Sequence, residues 1–142
     1  MNPIHHSSDA YEREQKMKGT RILLADDDPP MLAATAKLLQ SQFEVVGMVS
    51  DGSSLIEAAF RLQPDVIVTD ISMPKMNGIE AARQIRRSLP GIKFIFLTMH
   101  AANGYRRRAQ ALAAGYVLKS SAREQLGQSI RAAMRSSVET PI

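Results

Sequence analysis

Two rhythms alternate along the chain between Arg21 and Arg135. Short apolar runs recur at Arg21–Ala25, Phe43–Val49, Asp65–Thr69, Lys93–Leu97 and Tyr116–Leu118. Between them lie longer stretches with apolar residues three and four apart, the period of a helix with one buried face. Pro30–Gln40 carries Met31, Leu32, Leu38 and Leu39, and Ser53–Leu62 carries Leu55, Ala59 and Leu62. Gly78–Leu89 carries Ile79, Ala82, Ile85 and Leu89. Ala101–Ala113 reads as a fourth helix, and Ala122–Arg135 as a fifth with Leu126, Ile130, Ala133 and Met134 inward. Strict strand–helix alternation predicts an α/β domain, a parallel sheet with helices on both faces. Runs as continuous as Val66-Ile-Val68 and Phe94-Ile-Phe-Leu97 fit strands buried on both sides. The turn chemistry agrees. Asp28 before Pro29-Pro30, Asp51 before Gly52 and Asn77 before Gly78 all read as helix caps.

The boundaries follow from where this rhythm stops. Residues 1–19 have no apolar period and are expected to be a flexible extension, with His5-His6 open to adventitious metal. Residues 20–136 form the domain, and 137–142 resemble a tail or the start of a linker. The chain has 142 residues, enough for one domain with a modest core. It has no cysteine, which excludes a disulfide framework, a thiolate metal site and a cysteine nucleophile. No apolar run approaches the roughly 18 residues of a membrane helix, and the polar N-terminus lacks a secretory h-region. The expected location is therefore cytoplasmic, with no membrane partner.

Charge is unevenly spread. Residues 1–78 hold 7 Lys+Arg against 11 Asp+Glu, a net of −4, and residues 79–142 hold 11 against 3, a net of +8. An acidic half points to a cation site. A basic half points to an acidic partner surface or simply a solvated face.

The candidate chemistry lies at the ends of the apolar runs. In a parallel sheet all strand C-termini share one edge, where ligand sites form. Asp26, Asp27 and Asp28 follow the first run, Asp70 the third, Thr98 the fourth and Lys119 the fifth. Carboxylates gathered together repel one another unless a cation sits among them. Mg²⁺ suits such a site, because it takes hard oxygen ligands and is commonly held by one or two carboxylates and a phosphate. An ammonium and a hydroxyl alongside would serve phosphoryl oxygens, and a carboxylate there can itself be a nucleophile.

Four segments carry a family resemblance. Ile22-Leu-Leu-Ala-Asp-Asp27, Pro64-Asp-Val-Ile-Val-Thr-Asp70-Ile-Ser-Met-Pro-Lys-Met-Asn-Gly78, Phe96-Leu-Thr-Met-His100 and Gly115-Tyr-Val-Leu-Lys119 resemble, in order, the receiver domains of two-component response regulators. The last two are similar to receivers joined to helix-turn-helix output domains of the LuxR type. The resemblance implies a flavodoxin-like sheet of order 2-1-3-4-5 with five flanking helices. It implies Asp70 as phosphoryl acceptor and Mg²⁺ held by Asp27, Asp70 and the Ser72 backbone carbonyl, with Asp26 acting mostly through water. Lys119 would pair with the phosphoryl group, Thr98 would turn to bond it, and Tyr116 would move inward behind Thr98. The peptide before Pro74 would be cis.

The implied function is a phosphorylation-dependent switch, loaded by a histidine kinase or phosphotransfer protein. It would act through the face of the fourth helix, fifth strand and fifth helix, which also offers a homodimer surface. Arg106, Arg107, Arg108, Arg123, Arg131 and Arg135 are expected on that face. The chain would be no enzyme beyond its own phosphorylation and dephosphorylation. Direct nucleic-acid binding is not expected, since no reading helix or aromatic platform is present. With no output domain after Arg135, the chain reads as a stand-alone receiver or a fragment of a regulator. Two departures stand out: the Thr98–Lys119 spacing is one residue short, and Leu112 replaces an expected glycine. The shortening is the best support for an alternative, a receiver-like interaction module independent of phosphorylation, against which the intact acid cluster, Thr98 and Lys119 argue. A Mg²⁺ phosphatase would need a second acid, for which Asp28 is the nearest candidate. His100, beside Thr98, is expected to tune phosphate lifetime.

Overall fold

The computed structural model describes residues 19–99, 103–112 and 114–135. Five strands form one parallel sheet: β1 (Arg21–Ala25), β2 (Glu44–Val49), β3 (Val66–Thr69), β4 (Lys93–Thr98) and β5 (Gly115–Leu118). Their order is β2-β1-β3-β4-β5. The helices are α1 (Pro29–Gln40), α2 (Gly52–Leu62), α3 (Gly78–Ser88), α4 (Asn103–Ala111) and α5 (Ala122–Arg135), with a short 3₁₀ turn over Lys119–Ser121. Among the described residues the expected class, strand order and five helices are all present. The element limits shift by a residue or two, as fraying ends do. The extension up to Lys18, with His5 and His6, lies outside the described residues, as do His100 and the tail from Ser136.

The sheet divides the core in two. Leu23, Ile67, Phe94 and Phe96 face α2, α3 and α4, packing with Leu55, Ile79 and Ile85. Ile22, Leu24, Val66, Val68, Ile95 and Leu97 face the other way, onto Leu39 of α1 and Leu126 and Ile130 of α5. Successive strand residues point to opposite faces, so a strand covered on both sides must be apolar throughout. All four residues of β3 are buried. Burial of this kind contributes roughly 1.5–3 kcal/mol for each large aliphatic side chain.

Caps fix where the helices begin beneath the strand tips. The Asp51 side chain accepts from the Ser54 amide at 2.7 Å, and Asn77 accepts from the Glu80 amide at 2.8 Å. Asp28 holds the cap position of α1 but makes no side-chain cap bond. Pro29 and Pro30 fill the first two helical positions and bring no amide, and the Asp28 backbone carbonyl accepts from the Leu32 amide at 2.9 Å. The helix accordingly starts at Pro29, one residue earlier than its apolar pattern indicates.

The loop from β3 to α3 corrects one expectation. The peptide before Pro74 is trans, as are all described peptide bonds. The chain turns instead at Lys75, whose φ is +71°, and the Met76 amide donates to the Pro74 carbonyl at 2.7 Å. That bond closes a three-residue γ-turn over Pro74, Lys75 and Met76.

Candidate functional site

Strand ends build the site. The ladder carries on one step past β1 and β3: the Asp70 amide donates to the Ala25 carbonyl at 2.8 Å, and the Asp26 amide to the Val49 carbonyl at 3.1 Å. Both aspartates are therefore held by backbone, side by side at the middle of the sheet. Each is almost fully buried, Asp26 at 4% and Asp70 at 7% exposure. Asp27, the next residue, is exposed. One carboxylate oxygen from each of Asp26, Asp27 and Asp70 lies within 4.8 Å of the others.

Lys119 enters from the tip of β5 and is itself nearly buried. Its Nζ lies 2.9 Å from Asp26 Oδ2 and 3.3 Å from Asp70 Oδ2. The other oxygens are also engaged. Asp26 Oδ1 accepts from the Asp28 amide at 3.0 Å, and Asp70 Oδ1 accepts from the Ile71 amide at 2.8 Å. Thr98 is the last residue of β4, buried, at the same sheet edge, with its register partner Leu118 directly before Lys119.

The electrostatics fall short of positive charge. Burial pushes the Asp70 carboxyl above its ordinary value; the Lys119 ammonium opposes that, and the Asp26 charge adds to it. Burial alone would pull the Lys119 ammonium down. Its hydrogen bonds and charge attraction with Asp26 and Asp70 outweigh this, and it is held above its ordinary value. Both groups thus hold their protons more tightly than in water. One ammonium against three carboxylates leaves a net negative site made only of hard oxygen donors. That donor set fits Mg²⁺, which favours carboxylates, carbonyls and waters.

Behind the site the packing is close. A side chain on Gly78 would bring its Cβ to 2.1 Å from the Asp70 carbonyl oxygen, and one on Gly52 to 2.2 Å from that of Met76. Neither position accepts a larger residue without moving backbone. The Gly78 amide donates to the Ile71 carbonyl at 2.8 Å, which ties the start of α3 to the end of β3.

Tyr116 is half-buried and, like Tyr105 and Leu112, packs against the core on the α2–α3–α4 side of the sheet. The Arg106 guanidinium lies 4.8 Å from its ring centroid. The missing residue between Thr98 and Lys119 leaves β5 in register with β4, from Ile95↔Gly115 to Thr98↔Leu118. Leu112 closes the end of α4, its amide meeting the Arg108 and Ala109 carbonyls. Arg131 departs from the expected basic face, because its guanidinium donates to the Gln42 side chain past the end of α1. Arg106, Arg107, Arg108, Arg123 and Arg135 are exposed.

The model of the response regulator receiver domain matches residues 22–131. The chain belongs to that family, whose members are two-component signalling proteins rather than turnover enzymes. Among curated relatives, it is 39% identical over 116 residues to the transcriptional regulatory protein DesR of Bacillus subtilis, covering 80% of this chain and 57% of DesR. It is 39% identical over 118 residues to LiaR of the same organism, covering 81% of this chain and 56% of LiaR. The chain thus spans about half the length of these relatives. Among solved structures, a LuxR-family two-component response regulator from Aurantimonas sp. SI85-9A1 superposes with a TM-score of 0.77 at 31% identity, covering 82% of this chain and 85% of the other. Among the described residues no helix is long and apolar enough to cross a membrane.

Proposed function

We propose that this domain is a cytoplasmic phosphorylation switch, with Asp70 accepting a phosphoryl group from a histidine kinase or phosphotransfer protein. One observation carries the reading: three carboxylates converge within 4.8 Å, and the Lys119 ammonium bridges the two that are buried.

Asp26, Asp27 and Asp70, with the Ser72 backbone carbonyl, would hold Mg²⁺; Asp26 would contribute mostly through water. When bound, the ion supplies positive charge between these acids and the oxygens of an incoming phosphoryl group. The transfer itself needs few protein groups. A carboxylate oxygen of Asp70 bonds to phosphorus as the bond from phosphorus to the donor's histidine nitrogen breaks, and the electron pair leaves with that nitrogen. Lys119 is already in place to neutralise the new charge. Transfers of this type depend mainly on positioning and electrostatics.

The product places roughly −1.5 to −2 charges and new acceptor oxygens at the site. Thr98 would turn its hydroxyl toward them, and Tyr116 would move further inward behind it. The population would shift toward a different α4-β5-α5 surface, read by a partner, an output domain or a second copy. No direct role in nucleic-acid binding is assigned to this chain.

The test loads wild type and Asp70→Asn with acetyl phosphate and Mg²⁺, read by intact mass and gel filtration. Wild type should gain an adduct of roughly 80 Da, one phosphoryl group, while Asp70→Asn stays unmodified. A wild type that never takes the adduct contradicts the reading and favours a phosphorylation-independent module.

A further inference from the structure

The acceptor's own backbone shows how it is aimed, and the feature that aims it is the residue before it. Thr69 is completely buried at the end of β3. Its hydroxyl donates to the Asp70 carbonyl oxygen at 2.8 Å. That carbonyl belongs to the same peptide unit as the Ile71 amide, and the Ile71 amide donates to Asp70 Oδ1 at 2.8 Å. A peptide unit is planar and rigid. Fixing its carbonyl end therefore fixes the direction of its N–H end, and with it one oxygen of the acceptor carboxylate. The second oxygen, Oδ2, is left facing the Lys119 ammonium at 3.3 Å.

The geometry points to Thr69 as a positioning residue for phosphoryl transfer. Acting through the peptide between Asp70 and Ile71, its hydroxyl holds Oδ1 back and presents Oδ2 to the donor. This rests on the reading of Asp70 as acceptor. The surroundings leave little slack for another arrangement. The Asp70 carbonyl is closely covered by Gly78, where a Cβ would come within 2.1 Å of it, and Thr69 is completely buried beside it. The Ile71 carbonyl is occupied by the Gly78 amide, and the Asp70 amide by Ala25. The polar backbone groups on either side of the acceptor are thus committed. Of these contacts, the Thr69 hydroxyl is the one made by a side chain and can be removed without changing the backbone or the carboxylates.

Thr69→Val keeps the shape and removes the hydroxyl, and Thr69→Ser keeps the hydroxyl and removes a methyl. Two readouts apply. The first is the self-phosphorylation rate with acetyl phosphate and Mg²⁺, split into the maximal rate and the half-saturating donor concentration. The second is the Ile71 amide proton shift in metal-free protein, which reports the bond to Oδ1 directly. Thr69→Val should lower the maximal rate roughly tenfold, the equivalent of about 1.4 kcal/mol, with little change in half-saturation. It should also move the Ile71 proton upfield. Thr69→Ser should restore the rate to within about threefold and restore the proton shift. A Thr69→Val protein with the wild-type rate and Ile71 shift overturns the proposal, as does a Thr69→Ser protein as slow as Thr69→Val. A wild type that takes no phosphoryl group on Asp70 fails at the earlier step, and the reading of the site falls instead.

Discussion

The tip of β3 and the α4–β5 region meet at the same site but are built in opposite ways. At the tip of β3 every strand residue is buried, the Asp70 amide and carboxylate are hydrogen-bonded, and α3 sends Ile79, Ala81, Ala82 and Ile85 into the core. In the described part of α4, Ala109 is the one fully buried residue. In β5 only Val117 is fully buried. One region is fixed by redundant contacts; the other is held by partial burial and by an exposed arginine lying on a tyrosine. Local stability varies across a fold in this way, and moving elements come from its weaker end. Under the proposed function, the contrast suits a division of labour in which rigid Asp70 receives the phosphoryl group and a loosely packed edge responds to it.

Removing Lys119 breaks the contrast most severely. Lys119→Met strips the ammonium from two buried carboxylates, and taking one member from a buried ion cluster costs roughly 3–5 kcal/mol. Metal-free Lys119→Met should lose close to the lower end of that range at neutral pH by urea unfolding. The pH dependence follows from the direction of the Lys119 shift. Its pKa in the fold lies above the ordinary 10.5, so its stabilisation is complete below 10.5 and is lost as pH rises through the higher folded value. On the alkaline side, wild type and variant should converge only in strongly alkaline solution. Convergence already at pH 8 would contradict the assignment of the ion pairs.

Much of the rigid half was legible in the chain. Periodicity located the ten main elements, and the rule that parallel strands end on one edge gathered Asp26, Asp27, Asp70, Thr98 and Lys119. What escaped was anything depending on orientation rather than position. Lys119 was expected to meet a phosphoryl group, and in the resting fold it already bridges Asp26 and Asp70. Thr69 read as one more strand residue, because no spacing tells where a buried hydroxyl points. The turn at Lys75 takes a positive φ without a glycine, so the sequence carries no sign of it. Arg131 was placed on the basic face by helix membership, and its long side chain reaches Gln42 instead.

The looser half calls for a gentler perturbation. Arg106→Gln removes the cation from above Tyr116, a contact worth about 0.5–1 kcal/mol at an exposed site. Global stability should change by no more than that. The Tyr116 ring resonances should move toward their positions in the phosphorylated protein, because the half-buried conformer loses a partner. Unchanged ring resonances, or a stability loss of several kcal/mol, would show that α4–β5 is as firmly built as the tip of β3.

The central claim is that three acids converge on one cation beside Asp70, and a calorimetric Mg²⁺ titration of wild type against Asp27→Asn tests it most directly. Asp27 is exposed, so its replacement leaves the core untouched. The account predicts a single site in wild type, weakened at least about tenfold by losing one of its carboxylates. Equal affinity in the two proteins, or no Mg²⁺ binding by wild type, would contradict it.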